Sequence, residues 1–409
     1  MRGKAVSSGS AHGALIRHSL ANAADLAVGN AHPEVNTVTC ECLFLSNEDM
    51  VDLLAPEECV RALEEAFRDL GRRRAQELPR RRIYFPQGEA ANRYYWFNEM
   101  VGLVHNVLAL RVNSATVHIA RKRGNARLEF HGPFCGLVFL FEVETNKLLA
   151  VIQDYYLNPI RVAGTSALVS ERLARDNAQV MGLFGSSTQA ATQALYHAAM
   201  LKQLSEIRVY STNAARREAF AEAMSAKTGI RVVAVDHPRD AVEGCDIVTT
   251  ATNSNEPVFS GEWLRPGTHV NTMIGSDAFL ARRETDELTV KRSDIIVVNS
   301  KESIRLDKQP ELYPLLQQGV LSWDDIYEVS DLVIGDKIHG RSSAYQITYH
   351  NNNVGMGIQF AALGRLVYEK ARALGRGSLV EAGLFVQMPD DLRRIRDAAF
   401  LGKTGWRGT

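Results

Sequence analysis

The chain has 409 residues, 45% of them hydrophobic, and its 47 lysines and arginines equal its 47 aspartates and glutamates, for a formal net charge of zero. That length and apolar content are enough for two packed domains and exclude a disordered chain, while the balanced charge gives no electrostatic case for a nucleic-acid or membrane partner. The cysteines Cys40, Cys42, Cys59, Cys135 and Cys245 are scattered, lack the paired spacing of a zinc site and fit a reducing, cytoplasmic setting.

Residues 1–43 are rich in alanine, serine, glycine and asparagine and hold no apolar run long enough for a signal sequence or a membrane span. They read as an appended arm, either an extension packed on a partner subunit or a targeting segment. In SNEDMVDLLAPEECVRALEEAFRDLGRRR, Ser46 or Asn47 offers a helix cap, and Val60, Leu63, Ala66, Phe67 and Leu70 recur at helical spacing. YYWF, NVLALRVNS, CGLVFLFEV and KLLAVIQDYYL read as strands joined by short turns. A first domain over residues 44–165 therefore mixes helix with a mainly antiparallel sheet, and RVAGTSALVSERLARDNAQ reads as a connecting helix.

From there strand and helix patterns alternate. VMGLF runs into a glycine turn and an alanine-rich helix, and further apolar runs follow: IRVY at 207, IRVVAV at 230, DIVTTAT at 246, THVNTMI at 268 and DIIVVN at 294. This alternation predicts an α/β fold, a Rossmann-type doubly wound parallel sheet over residues 166–344. At the first turn Gly185 is present, but Ser187 stands where a second glycine is expected. The small inner stripe of Ala190, Ala191, Ala194 and Ala198 lets helix and strand approach closely, so the turn suits a dinucleotide, with a plain structural turn as the alternative. The second strand ends in VYSTNAARRE. An acid there would accept hydrogen bonds from the ribose of NAD. Ser211, Thr212 and Asn213 are instead neutral, and Arg216 or Arg217 supplies positive charge, which favours NADP over NAD unless this is a solvated turn. The histidines His105, His131, His339 and His350 show no metal-ligand spacing, so no metal is expected.

Four stretches in order, LNPIRVAGTSAL, VMGLFGSSTQA, CDIVTTATNSNEPVFSGEWLRPGTHVNTMIGSD and GRSSAYQITYHNNNVGMGI, resemble the ornithine cyclodeaminase and mu-crystallin family, and the match runs from about Phe44 to Gly377. The resemblance implies a Rossmann domain inserted into a discontinuous α+β domain that binds substrate and pairs two subunits, with residues 345–409 returning to that domain and ending in a tail. It implies Asp277 of MIGSD as the catalytic acid or base, the structural alternative being a cap on the following segment AFLARRETDEL. It implies a substrate carboxylate held by Arg81 of LPRRRIYF, which Arg80 and Arg82 flank, by Arg111 and by Arg161, with Glu99 of WFNEM near the pocket. It further implies cofactor contacts from Arg161, Gly185, Ser187, Thr188, Gln189, Ser211, Thr212, Asn213, Arg216, Thr250, Ala251, Thr252, Gly275, Val354 and Gly355.

Three positions depart from the family pattern: Arg111 replaces a common lysine, Val162 a threonine, and Gln359 an aspartate. Substrate identity is therefore not carried over. The implied activity is NAD(P)H-dependent reduction of the C=N bond of an imino acid or ketimine to an amino acid, by a homodimer acting on a small molecule. An ornithine cyclodeaminase with bound NAD and a non-catalytic NADPH-dependent binding protein are the alternatives.

Overall fold

A computed structural model describes residues 41–386 except 89–91, 123–124, 274, 278, 382 and 384, and leaves aside the side chains of 120–127 and 131. The predicted arm up to residue 40 and the tail from 387 lie outside the described residues. No described helix is long and apolar enough to cross a membrane.

The first sheet begins with β1 (Glu41–Leu45), β2 (Gln76–Pro86), β3 (Arg93–Val104), β4 (Val107–Lys122), β5 (Asn125–Glu142) and β6 (Lys147–Gln153). Strands β2 to β6 pair antiparallel in succession, as short turns between consecutive strands require, and β1 joins β6 in parallel. One face is covered by two helices. Pro56–Gly71 buries Cys59, Val60, Leu63, Ala66 and Phe67, the stripe read from the spacing, and Gly357–Leu374 packs on β3 and β4. Ser46 caps only the short helix Asn47–Met50 through a reciprocal pair with Asp49, and the longer helix starts afresh at Pro56, a residue preorganised for a first helical turn.

The second sheet contains β7 (Val180–Phe184), β8 (Glu206–Tyr210), β9 (Arg231–Ala234), β10 (Ile247–Thr250), β11 (His269–Thr272), β12 (Ile295–Val298), β13 (Ile326–Glu328) and β14 (Thr348–Asn351). Its order is β13-β12-β14-β11-β10-β7-β8-β9, and every pair is parallel. Chain order reverses between β7 and β10, which opens a crevice at their carboxyl ends. After the helix Gly357–Leu374, β15 (Ser378–Glu381) pairs antiparallel with β1 and returns the chain to the first sheet.

Two boundaries differ from the sequence-based segments. The helix Leu157–Leu173 runs without a break across residue 165. Strand β14 lies inside the parallel sheet although it follows residue 344. Its sequence, Thr-Tyr-His-Asn, carries no apolar run because its burial is satisfied by hydrogen bonds: Tyr349 donates to Glu311 Oε2 at 3.2 Å and His350 Nδ1 lies 2.8 Å from Asn271 Oδ1.

Candidate functional site: a crevice meeting an arginine-lined cavity

The turn after β7 is built for close backbone approach. Gly185 has φ +115°, and a β-carbon there would stand 2.4 Å from the Ala251 carbonyl oxygen, so glycine is the residue that fits. Ser187 occupies the N-cap position of the helix Thr188–Met200 in ordinary extended backbone, yet its hydroxyl caps no helix N–H. It lines instead a cavity of ≈ 880 Å³ together with Gly185, Gln189, Ser211, Thr212, Asn213, Arg216, Ala251, Thr252 and Gly275. A glycine cradle, a helix N-terminus and neutral hydroxyls at the switch point of a parallel sheet fit an extended dinucleotide. Thr188 begins the helix, and Thr250 lies behind the lining, its hydroxyl donating to Glu284 Oε2 at 2.8 Å.

Buried glutamates hold the crevice floor. Glu284 Oε1 accepts from the Thr252 amide at 2.7 Å and from its hydroxyl at 2.6 Å. Glu311 accepts from the Glu284 amide at 2.8 Å and from Asn351 Nδ2 at 2.7 Å. Burial pushes both carboxyls up, that of Glu311 to about 7.

The second cavity, ≈ 700 Å³, lies between the first sheet and the loop after β11. Asp277 sits in its wall. Its Oδ2 accepts from the Tyr84 hydroxyl at 2.8 Å and pairs with Arg82 Nη1 at 3.0 Å, while Oδ1 accepts from the amides of Phe279 and Leu280 at 2.9 and 2.7 Å. Among the described residues no helix follows before Glu287, so Asp277 closes a turn, and two of its contacts, Tyr84 and Arg82, come from the cavity side. Arg82 is shared with Asp307 at 3.1 Å, and Arg80 lies 3.6 Å from the same carboxylate.

Across the cavity, Arg111 is buried and donates to Asp154 Oδ2 from Nε at 2.8 Å and from Nη2 at 2.5 Å. Arg161 is equally buried, but its partners are neutral: Asn158 Oδ1 at 2.8 Å and Gln359 Oε1 at 3.4 Å. Burial first, and then the neighbouring Arg111 charge, lowers the proton affinity of Arg161. Both guanidinium groups face the Phe360 ring, at 5.3 and 5.6 Å from its centre. Gln359, one of the three departures, thus gives Arg161 a neutral partner. The two cavities share Asn253, Gly275 and Arg282 as lining, so a ligand in the crevice meets one among the arginines at that seam.

The structure brings Asp277, Arg111 and Arg161 together and separates Arg81 and Glu99 from them. On β2, Arg80, Arg82 and Tyr84 face the cavity, whereas Arg81 and the next alternate residues are exposed on the other side. Arg81 is paired in register with Glu99, which lies between the cavity-facing Asn98 and Met100. A register shift between Leu78 and Arg81 decides which arginines point inward, and three consecutive arginines conceal it. Arg217 turns inward to the Ser211 carbonyl and Asp236, which leaves Arg216 at the crevice rim. Asn213 accepts from the Arg216 amide at 2.9 Å and so caps the helix Ala214–Thr228. Val354 and Gly355 line a third cavity of ≈ 510 Å³ with Arg80, and Gly355 abuts Arg161, where a β-carbon would come within 2.6 Å of the guanidinium. Sequence reasoning did not find Tyr84, Asp154, Arg282 or Glu284. The last two lie in a segment resembling a charged surface helix, and only the fold turns them inward.

Comparison with known proteins matches this architecture. A solved Δ1-pyrroline-2-carboxylate reductase from Thermococcus litoralis, in complex with NADH and L-proline, superimposes with a TM-score of 0.71 at 29% identity over 83% of this chain and 100% of that one. An archaeal alanine dehydrogenase dimer with bound NAD gives a TM-score of 0.71 at 25% identity over 83% and 99% of the two chains. A Δ1-pyrroline-2-carboxylate reductase from Bacillus cereus is 29% identical over 252 residues, 60% of this chain and 74% of the relative. The family match itself covers residues 41–375 and spans both sheets, the crevice and the arginine-lined cavity: the chain belongs to the ornithine cyclodeaminase/mu-crystallin family.

Proposed function

We propose that this chain is an NADPH-preferring oxidoreductase that reduces the C=N bond of an imino acid or ketimine to give an amino acid. The observation that carries the reading is the seam at Asn253, Gly275 and Arg282, where the crevice opens onto a cavity holding a carboxylate, Asp277, and a buried cation, Arg161, that among the described residues has no carboxylate within ion-pair distance. When bound, the reduced nicotinamide supplies a hydride to the imine carbon and leaves oxidised, while the nitrogen takes up a proton. The protein's own groups do the rest. Arg161 grips the α-carboxylate through its planar fork and so orients the reacting carbon, and Arg111, held by Asp154, adds a second positive charge to that end. Asp277 exchanges the proton at the nitrogen, with the Tyr84 hydroxyl as its hydrogen-bonded neighbour. The aromatic side chains of Trp96, Phe130 and Phe134 wall the cavity and help exclude water. Gly355 lies against Arg161, and Asn299 Nδ2 holds the neighbouring Val354 carbonyl at 2.7 Å.

The preference for NADPH rests on the rim. Ser211, Thr212 and Asn213 offer no carboxylate to a ribose, and Arg216 is exposed beside them to receive a 2′-phosphate. On the face away from the cavity, β2 exposes Leu78, Ile83 and Phe85, which suits pairing with a second copy as a homodimer. A reaction between a reduced nucleotide and a small amino-acid precursor also suits the cytoplasm.

The test is turnover by purified protein of imines formed from 2-oxo acids and amines, with NADPH or NADH, alongside ornithine without added reductant. NADPH oxidation with amino-acid formation is expected, and Arg216→Ala should narrow the preference over NADH by several-fold, the scale of a charged hydrogen bond discounted for exposure. Ornithine consumption without reductant, and no imine reduction, would replace this reading with a cyclodeaminase.

A further inference from the structure

Arg282 marks a second cationic position in the same cavity. Its Nη2 donates to the Gly275 carbonyl at 2.5 Å, and its Nε is buried without a hydrogen-bond partner. Among the described residues it forms no ion pair with a carboxylate, unlike Arg82 and Arg111. Glu284, two positions on, turns its oxygens to Thr250, Thr252 and the Met273 amide instead.

The charges of the cavity fall into two groups. At one end Arg111 and Arg161 stand over Phe360, with Asp154 taken by Arg111. At the other, Arg80, Arg82 and Arg282 line the wall beside Gly275, where Arg80 and Arg82 share Asp307 and Arg82 also holds Asp277. Each end therefore keeps one guanidinium outside ion-pair distance of any described carboxylate, Arg161 in the first group, which Asp154 reaches only from further off, and Arg282 in the second, which Glu284 and Asp277 reach likewise. A buried cation left without an anion is costly, and burial lowers the proton affinity of both. One α-carboxylate satisfies only one end.

We infer that the substrate carries two anionic groups, an α-carboxylate at Arg161 and a second carboxylate at Arg282, as in the imine of a 2-oxo dicarboxylic acid. The inference rests on the imine-reductase reading above and names its substrate class. Because Arg282 also lines the crevice, a cofactor phosphate is the other source of an anion there.

The experiment compares kcat/KM of the wild-type protein for two imines formed from ammonia, one from a 2-oxo dicarboxylic acid and one from the 2-oxo monocarboxylic acid of equal chain length. Arg282→Met and Arg282→Lys are measured in parallel, and NADPH affinity is titrated for all three proteins. The expected result is a preference for the diacid of roughly ten- to a hundredfold, the scale of a charged hydrogen-bond pair. Arg282→Met should bring the ratio of the two substrates toward one with NADPH binding retained, and Arg282→Lys, which keeps the charge and loses the fork, should retain part of the preference. Equal use of both imines by the wild type overturns the second anion and leaves imine reduction standing. Loss of NADPH affinity in Arg282→Met with an unchanged substrate ratio assigns Arg282 to the cofactor and also overturns it. Reduction of neither imine removes the underlying reading, and the inference with it.

Discussion

Beneath the cofactor crevice, the parallel sheet buries His269, His350, Asn271 and Asn299 and holds them through one another and through hydroxyl groups, as in the 2.8 Å contact between His269 Nδ1 and Thr348 Oγ1, with His269 Nε2 left without a hydrogen-bond partner among the described residues. Around the arginine cavity, the first sheet and the loop facing it bury full charges in pairs, Arg111 with Asp154 and Arg82 between Asp277 and Asp307. The difference follows from what each region is suited to hold. A dinucleotide in a glycine turn is met by fixed backbone N–H groups and close approach, so its floor needs rigidity, which hydrogen bonds supply, those to the buried Glu284 and Glu311 included. A small charged substrate is met by guanidinium groups, and each of these must be matched when the site is empty or else await an anion. On the proposed function, Arg161 and Arg282, which lie outside ion-pair distance of any described carboxylate, are the groups that await the ligand.

Three experiments would break or sharpen that contrast. The largest effect is expected from Asp277→Asn, which keeps size and hydrogen bonding but removes the exchangeable proton. Turnover should fall by about two to four orders of magnitude, the usual contribution of a positioned acid or base, while cofactor titration stays unchanged. Wild-type turnover across a range of pH would reduce Asp277 to the turn-former that its Phe279 and Leu280 contacts already make it.

Next in size, Asp154→Asn leaves the Arg111 charge buried without its carboxylate, and urea unfolding should show a loss of about 3–5 kcal/mol. The double variant Arg111→Met/Asp154→Asn should recover much of that loss. A single variant of wild-type stability would mean that the charges of this cavity are not balanced pair by pair.

The smallest effect concerns acid stability of the neutral network. Burial pulls His350 down to about 3 and His197 to about 4. An unfolded chain takes up these protons near pH 6.5, where the native state refuses them, so the stabilisation is complete above that value and is lost as the pH falls through it. From pH 6.5 to 5 each histidine contributes a loss of about 2 kcal/mol. Glu311, raised to about 7, works in the opposite sense, because its native protonated form gains stability as the pH falls from 7 toward the ordinary carboxylate value. Glu77, raised to about 8 by burial, acts in the same sense as Glu311, so these carboxyls offset much of the histidine loss. By unfolding midpoints, the His197→Gln protein should therefore lose less stability than the wild type between pH 7 and pH 5, a flatter slope. An unchanged slope would show that His197 is not the neutral group that its contacts with Ser170 and Gln193 imply.

The sequence by itself determined the parts of this protein whose causes are local. Apolar periodicity marks β7, β8, β10, β11 and β12, and the stripe from Val60 to Phe67 marks the helix that covers the first sheet, because burial of one face imposes a period that neighbours along the chain display. Gly185 was legible because its backbone angle belongs to glycine, whereas Asp277, Arg111 and Arg161, which line one cavity, were singled out only through the family resemblance of the stretches that carry them. Only the tertiary structure decided which of three consecutive arginines enters the cavity, since a register shift on β2 turns Arg80 and Arg82 inward and Arg81 out. It likewise placed β14 in the middle of a parallel sheet and sank Glu284 and Glu311 beneath the crevice. These features depend on partners far apart in sequence: Thr250 lies 34 residues from Glu284, and Asn271 lies 79 from His350. A buried polar group is recognised by the atom that satisfies it, and hydropathy along the chain carries no record of that atom.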